Sequence, residues 1–164
     1  MTEFEKLFND NRVFIFKYLI KLTRDFSLAE ELTQETFFRA YMNYASLRNK
    51  EKALVWLCQI AKNSYFAWYN EQKKKESLDN LETITDSVNI EDTFVQKELS
   101  QKALLCLQEL EEPYKEVFMW RVFAEMSFKQ IGQIFHKSEN WACVTYHRAR
   151  KMIKERLEAD GYEK

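Results

Sequence analysis

SFKQIGQIFHKSENWACVTYHRARKMIKERL, residues 127–157, reads as two helices parted by a short polar turn, the second helix crowded with Arg and Lys. Ser127 and Gln130 have the S-x-x-Q spacing of a capping box, in which each side chain takes the other's backbone N–H. Met126 and Ile131 stand where a hydrophobic staple would close over that start. Phe128, Ile131 and Phe135 share one face, and Gly132 permits a close helix crossing. Ser138 is placed to cap the second helix, with Glu139 at its positive end. In that helix Ala142, Tyr146, Ala149, Ile153 and Leu157 recur at helical spacing and form the expected buried stripe. Asn140, Cys143, Val144, His147, Arg148, Lys151 and Lys154 are left outside.

Two helices about a tight turn, the second cationic, fit a DNA-binding helix-turn-helix. Arg148 suits a bidentate pair with a guanine edge, while Arg150, Lys151 and Lys154 suit phosphates. A solvated amphipathic helix pair has the same periodicity, so the pattern alone leaves both readings open.

The rest of the chain is also helical in pattern. Among 164 residues there are only two Gly and one Pro, so the turn chemistry of regular hairpins is scarce. Hydrophobic content of 46% and aromatic content of 15% are enough for a real core. Thr2 and Glu5 predict a capping box at the first helix, with a possible break at Asn9–Asp10–Asn11. Ser27 and Glu30 predict another, starting a helix to about Tyr44. Residues 53–75 read as a long helix ending in a cationic run. After an acidic segment, Leu99, Ala103, Cys106, Leu107 and Leu110 form a stripe, and Pro113 suits the first position of the next helix.

Charge is uneven although the net is only −1. Residues 1–75 carry 13 Lys/Arg against 9 Asp/Glu, net +4, and residues 76–99 carry 1 against 7, net −6. Residues 126–157 carry 7 against 2, net +5. Basic segments flanking an acidic one suggest nucleic-acid contact on parts of the surface. The expected organisation is all-α: a domain over 1–75, a linker over 76–95, and a domain over 96–164.

Several classes are disfavoured. Cys58, Cys106 and Cys143 are widely spaced, and with only His136 and His147 they make no zinc pattern. Reduced thiols of a cytosolic protein fit better. The acidic start MTEFEKLFND is unlike a signal peptide, and no uncharged apolar run approaches the ~20 residues of a membrane span. No catalytic triad, carboxylate pair or Gly-rich phosphate loop points to an enzyme, a cofactor or a small-molecule substrate.

Two further faces stand out. In the helix from residue 27, Glu31, Gln34, Glu35, Phe38 and Met42 lie opposite Leu28, Leu32, Thr36 and Ala40, and the apolar members look like a partner surface. From residue 52, Lys52, Trp56, Gln59, Asn63 and Asn70 make a stripe of amide, aromatic and basic groups, beside the rings of Tyr65, Phe66, Trp68 and Tyr69. Rings interleaved with cations suit single-stranded DNA. Phe66 and Trp68 are expected to pack in the core, whereas Asn63 and Lys52 are expected on the functional face.

SLAEELTQETFFRAY (27–41) followed by WLCQIAKN (56–63) resembles region 2 of the extracytoplasmic-function sigma factors, and residues 107–153 resemble their region 4. The resemblance covers nearly the whole chain in the right order. It implies two helical domains joined by the acidic linker, in a bacterial initiation subunit that binds core RNA polymerase and promoter DNA. Region 2 would bind the β′ clamp and melt the −10 element, and region 4 would read the −35 element and touch the β flap. Carried over by position, Glu31, Gln34, Glu35 and Phe38 fall on the clamp-contact helix. Leu47, Arg48, Asn49 and Lys50 fall on the base-capture loop, with Lys52, Trp56 and Asn63 also on the −10 side. Val144, His147 and Arg148, with Arg150 and Lys151, fall on the −35 helix. An anti-sigma factor is an implied partner, and neither a cofactor nor membrane insertion is. The chain departs from the common pattern at Leu47, Trp141 and Cys143. Two rivals predict other behaviour: a stand-alone helix-turn-helix regulator needs no polymerase, and a sigma-like adaptor binds partners without reading DNA.

Overall fold

Local capping chemistry sets most of the helix boundaries in the computed structural model, which describes residues 1–79 and 101–159. Among these residues every regular element is helical. The chain divides into two compact units, Met1–Thr83 and Ile84–Lys164.

The first unit opens with α1 (Glu3–Thr23), where the Thr2 hydroxyl accepts the Glu5 N–H at 3.0 Å and Glu5 accepts the Thr2 N–H at 3.2 Å. The helix runs unbroken through Asn9–Asp10–Asn11, contrary to the expected break. Asn11 turns its amide onto its own helix, donating to the Leu7 carbonyl at 2.9 Å. Arg24 ends α1 in the left-handed region, φ 57°, with its N–H on the Ile20 carbonyl. That reversal places Asp25, not Ser27, at the cap of α2 (Phe26–Met42): the Asp25 carboxylate accepts the Leu28 N–H at 3.1 Å. The helix also stops at Met42, short of Tyr44. Two 3-10 turns, Tyr44–Ser46 and Lys50–Lys52, lead into α3 (Ala53–Asp79). This helix continues past the cationic run of residues 73–75.

The three helices pack pairwise on one another. Ile15, Leu19, Ala29, Ala40, Leu57 and Ala61 are fully buried at their centre. Thr33 and Thr36 are buried too, and each hydroxyl donates to a carbonyl one turn back, Ala29 and Leu32, at 2.7 Å. That satisfies polar groups that would otherwise be costly in the core. Phe8 and Phe37 meet in a T-shaped pair, centroids 4.9 Å apart.

The second unit contains α4 (Gln101–Glu109), α5 (Tyr114–Val122), α6 (Phe128–Phe135) and α7 (Glu139–Ala159). Ala103, Cys106, Leu107 and Leu110 are buried as their spacing predicts, whereas Leu99 lies outside the described residues. Pro113 sits one position earlier than expected, as the cap of α5, where its carbonyl accepts the Val117 N–H at 2.9 Å. Helix α7 packs against the other three. Trp120, Phe118, Met119, Ile131 and Ile153 fill the centre. Arg156 on α7 pairs with Glu109 on α4 at 3.0 Å, an exposed contact that adds little stability.

Candidate nucleic-acid interface

The turn between α6 and α7 is built from backbone contacts that leave no room for a side chain. Ser127 and Gln130 form both halves of the capping box, at 3.1 and 2.9 Å. Met126 and Ile131 are both buried behind it, as a staple requires. His136 takes the left-handed conformation, φ 58°, and Lys137 donates its N–H to the Gly132 carbonyl at 2.8 Å. The Ser138 hydroxyl then accepts the Trp141 N–H at 2.9 Å and starts α7. Trp141 folds over the turn: its ring lies 5.3 Å from that of Phe135, and the Lys137 ammonium stands 5.8 Å from its centroid.

On α7 the periodic reading holds except at Cys143, expected outside, and Tyr146, expected buried, which are both half-buried. Ala142, Ala149, Ile153 and Leu157 are buried, and Thr145 joins them. Thr145 sits three residues after Ala142 and four before Ala149, so the spacing alone was enough to find it. Tyr146 is half-buried and stacked on Phe118, centroids 5.7 Å apart. The opposite face carries Asn140, Val144, His147, Arg148, Lys151 and Lys154, all exposed, with Val144 38% accessible. Arg150 is exposed as well, but at about 100° per residue it lies on a flank roughly 200° round from Arg148. That position suits a phosphate better than a base edge.

A row of rings supports this face from behind. Phe118 meets Tyr146, Tyr146 meets Phe128 at 5.6 Å, and Phe128 meets His147 at 6.3 Å. Arg121 braces the row, its guanidinium 4.0 Å from the Phe128 centroid and donating to the Met126 carbonyl at 3.1 Å. The approach to α6 and the seat of His147 are thereby fixed together.

In the first unit the outer face of α2 is exposed at Glu31, Gln34 and Phe38, and Glu35 is half-buried. The Glu35 carboxylate accepts from Arg39 at 2.7 and 2.9 Å. Phe38 and Met42 are each 64% accessible. Tyr41 is also exposed, a residue that the reading of this face from spacing omits. Phe38, Tyr41 and Met42 thus leave three large apolar groups of one helix exposed to water.

The loop and the α3 stripe divide. Arg48, Asn49, Lys50, Lys52, Gln59, Asn63 and Asn70 are exposed and Trp56 is half-buried. Leu47 is 7% accessible, so its side chain anchors the loop instead of facing a ligand. Asn49 caps the second 3-10 turn, accepting the Glu51 N–H at 2.9 Å. Tyr65, Phe66 and Tyr69 are buried and Trp68 half-buried, so this cluster is core and not a base-stacking surface. Burial, with Tyr69 adding to it, pushes the Tyr65 phenol well above its usual range. Lys62 is also buried, which the stripe did not foretell. Among the described residues no group of His, Cys, Asp and Glu side chains could hold a metal, and no helix is long and apolar enough to cross a membrane. No disulfide joins the three cysteines.

Residues 7–75 match the family model for Sigma-70 region 2, and residues 100–153 match that for Sigma-70, region 4. The ECF RNA polymerase sigma factor SigM of Bacillus subtilis is 30% identical over 142 residues, covering 85% of this chain and 86% of SigM. The RNA polymerase sigma factor YlaC of the same organism is 28% identical over 151 residues, covering 87% of this chain and 85% of YlaC. A similar solved structure is the sigma factor RpoE from Bartonella quintana, in complex with the anti-sigma factor NepR. It has a TM-score of 0.53 and 17% identity, covering 98% of this chain and 99% of that one, a likeness of fold.

Proposed function

The chain belongs to the extracytoplasmic-function (ECF) sigma factor family, and from that premise we propose a division of labour between its two units. As a sigma factor it directs promoter-specific transcription initiation by RNA polymerase, and such proteins are initiation factors rather than catalysts. In our reading it acts in the cytoplasm. The first unit docks on the β′ clamp through Glu31, Gln34, Glu35 and Phe38. It then holds the melted −10 element with Arg48, Asn49, Lys50, Lys52, Trp56 and Asn63, while Leu47 anchors the loop from inside. The second unit reads the −35 element with Val144, His147 and Arg148, takes phosphates on Arg150 and Lys151, and touches the β flap. An anti-sigma factor is a further partner in this reading.

The observation that carries the proposal is the sidedness of α7. Val144, His147, Arg148 and Lys151 share an exposed face, opposite buried Ala142, Thr145, Ala149 and Ile153, beyond a turn fixed by Gly132. That is the surface a helix needs to lie in a major groove. Each unit offers only a small DNA footprint, and the net charge of −1 gives no general pull towards a polyanion. The free protein is therefore a poor promoter binder. Held on polymerase, its two weak sites act through effective concentration.

In vitro transcription from a pooled genomic library, with core polymerase and with or without this protein, tests the reading. Discrete start sites that need the protein, preceded by shared −35 and −10 sequences, are expected. Binding to core without new start sites would favour the adaptor. Tight, specific binding of the isolated protein to duplex DNA at physiological salt would favour the stand-alone regulator.

A further inference from the structure

Arg121 stands in the last turn of α5, on a different helix from the residues assigned to the −35 element, yet its contacts lead to one of them. Its guanidinium lies 4.0 Å from the Phe128 centroid, and one of its N–H groups donates to the Met126 carbonyl at 3.1 Å. Those two contacts straddle Ser127, the cap of α6, so one planar group ties the entry of that helix to the ring in its first turn. The Phe128 ring in turn lies 6.3 Å from the imidazole of His147, at 52° to it. Tyr146 is the second ring beside that imidazole, 5.1 Å away at 70°, and it is itself stacked on fully buried Phe118. Arg121, Phe128 and Tyr146 are half-buried, whereas His147 is exposed. Arg148, the next residue, lies about 100° further round α7 and outside this row.

We propose that Arg121 is a positioning residue for −35 recognition: through the Phe128 ring it holds the His147 imidazole in the orientation that meets a base edge. This rests on the reading of the second unit as the one that reads the −35 element. An exposed imidazole turns about two side-chain bonds, and a base contact must freeze both. A wall of rings set in advance removes much of that cost before DNA arrives. Phe128 acts as a wall only while it is itself held, and the guanidinium over its face, well within the ~6 Å reach of a cation–π contact, holds it. A neutral imidazole has a single N–H donor, suited to a purine N7, and such a bond weakens steeply when misaligned. Loosening of the wall is therefore felt at the base pair that His147 reads, and not at the one that Arg148 reads.

The test uses the full chain assembled with core polymerase, on a promoter found in the transcription assay and on every single-base variant of its −35 element. His147→Ala and Arg148→Ala first mark the base pair at which each loses preference. Arg121→Gln is expected to lower preference about three- to tenfold at the His147 pair and to leave the Arg148 pair unchanged. Arg121→Lys, which returns a cation to the face of Phe128, should restore most of that preference. Combined with His147→Ala, Arg121→Gln should have no further effect on preference, since no imidazole is left to hold. Thermal stability is measured for each variant. Phe128→Leu, which keeps Arg121 and removes the wall, should lose preference at the same pair and decides the matter if Arg121→Gln folds poorly. A loss spread evenly over all −35 variants, or one that persists in the His147→Ala background, would overturn the positioning role and leave Arg121 a brace of the fold. Full preference at the His147 pair in Arg121→Gln would overturn it too, as would a His147→Ala that loses preference nowhere while Arg148→Ala does. If neither His147→Ala nor Arg148→Ala altered the response to any −35 variant, the reading of the second unit would fail with it.

Discussion

A methyl group on Gly132 would stand 2.7 Å from the carbonyl oxygen of Ser138, and the Lys137 carbonyl oxygen would be 2.8 Å away. Real Cβ atoms do not approach backbone oxygens so closely, and neither carbonyl belongs to a side chain that can swing aside. The missing side chain of Gly132 therefore sets the angle at which α7 leaves the turn. Gly132→Ala gains helix propensity yet should destabilise the second unit by about 1–3 kcal/mol, because overpacking outweighs propensity here. Thermal denaturation should show the loss, with −35 recognition falling alongside. An alanine variant of wild-type stability would mean the turn is looser than described.

The two starts in the first unit separate two candidate caps. Asp25→Ala should cost about 1 kcal/mol, the usual loss for an N-cap. Ser27→Ala, inside the first turn of α2, should cost a few tenths at most. Denaturant titration of both variants compares them directly. Equal losses would show that α2 begins where the sequence spacing alone suggests.

Tyr65 gives the first unit an alkaline limit. Burial holds its phenol above the ordinary value of about 10, so the folded state keeps the proton longer than the unfolded chain does. The stabilisation is complete below about pH 10 and is lost as pH rises above it towards the folded value. Tyr65→Phe should flatten that alkaline limb in melting experiments between about pH 9 and 12. An unchanged slope would mean that other groups govern it.

On the DNA-reading face, Arg148→Ala should cost about 1–3 kcal/mol at one −35 base pair and relax preference there. Lys151→Ala should instead weaken all −35 sequences alike and reduce the salt slope by about 1. Transcription from single-base promoter variants distinguishes the two patterns. If Arg148→Ala left every promoter unchanged, the sigma-like adaptor would be the better description.

What was legible in the sequence follows from how local each cause is. The capping boxes at Thr2 and Ser127 and the stripe of α7 depend on residues within a turn or two, and all were readable. The role of Asp25 was not, because it depends on Arg24 turning left-handed at the end of α1. The burial of Leu47 and Lys62 was not legible for a related reason. Their exposure is decided by α1 and α2 packing across α3, and a single helix's periodicity cannot register a third neighbour. Gly132 is the reverse case: a glycine within an otherwise apolar helix face is by itself a sign of close approach, here to the Ser138 carbonyl.

The last prediction concerns the apolar patch on α2. Phe38 and Met42 are each 64% accessible, so removing them exposes no core and should leave the folding stability of the first unit within about 0.5 kcal/mol. In a docked complex the same side chains would lie in a desolvated contact, where an aromatic anchor commonly costs more than 1 kcal/mol when truncated. Phe38→Ala should therefore lower affinity for core polymerase about tenfold with an unchanged melting temperature. Val13→Ala provides the control. Val13 is 54% accessible in the same unit but lies on α1, about 200° round that helix from buried Ile15, and its loss should change neither quantity. Fluorescence anisotropy of labelled protein against core polymerase measures the affinities, and circular dichroism the melting. Equal affinity for all three proteins would move the polymerase contact off α2, whereas a fall for Val13→Ala as well would widen it to include α1.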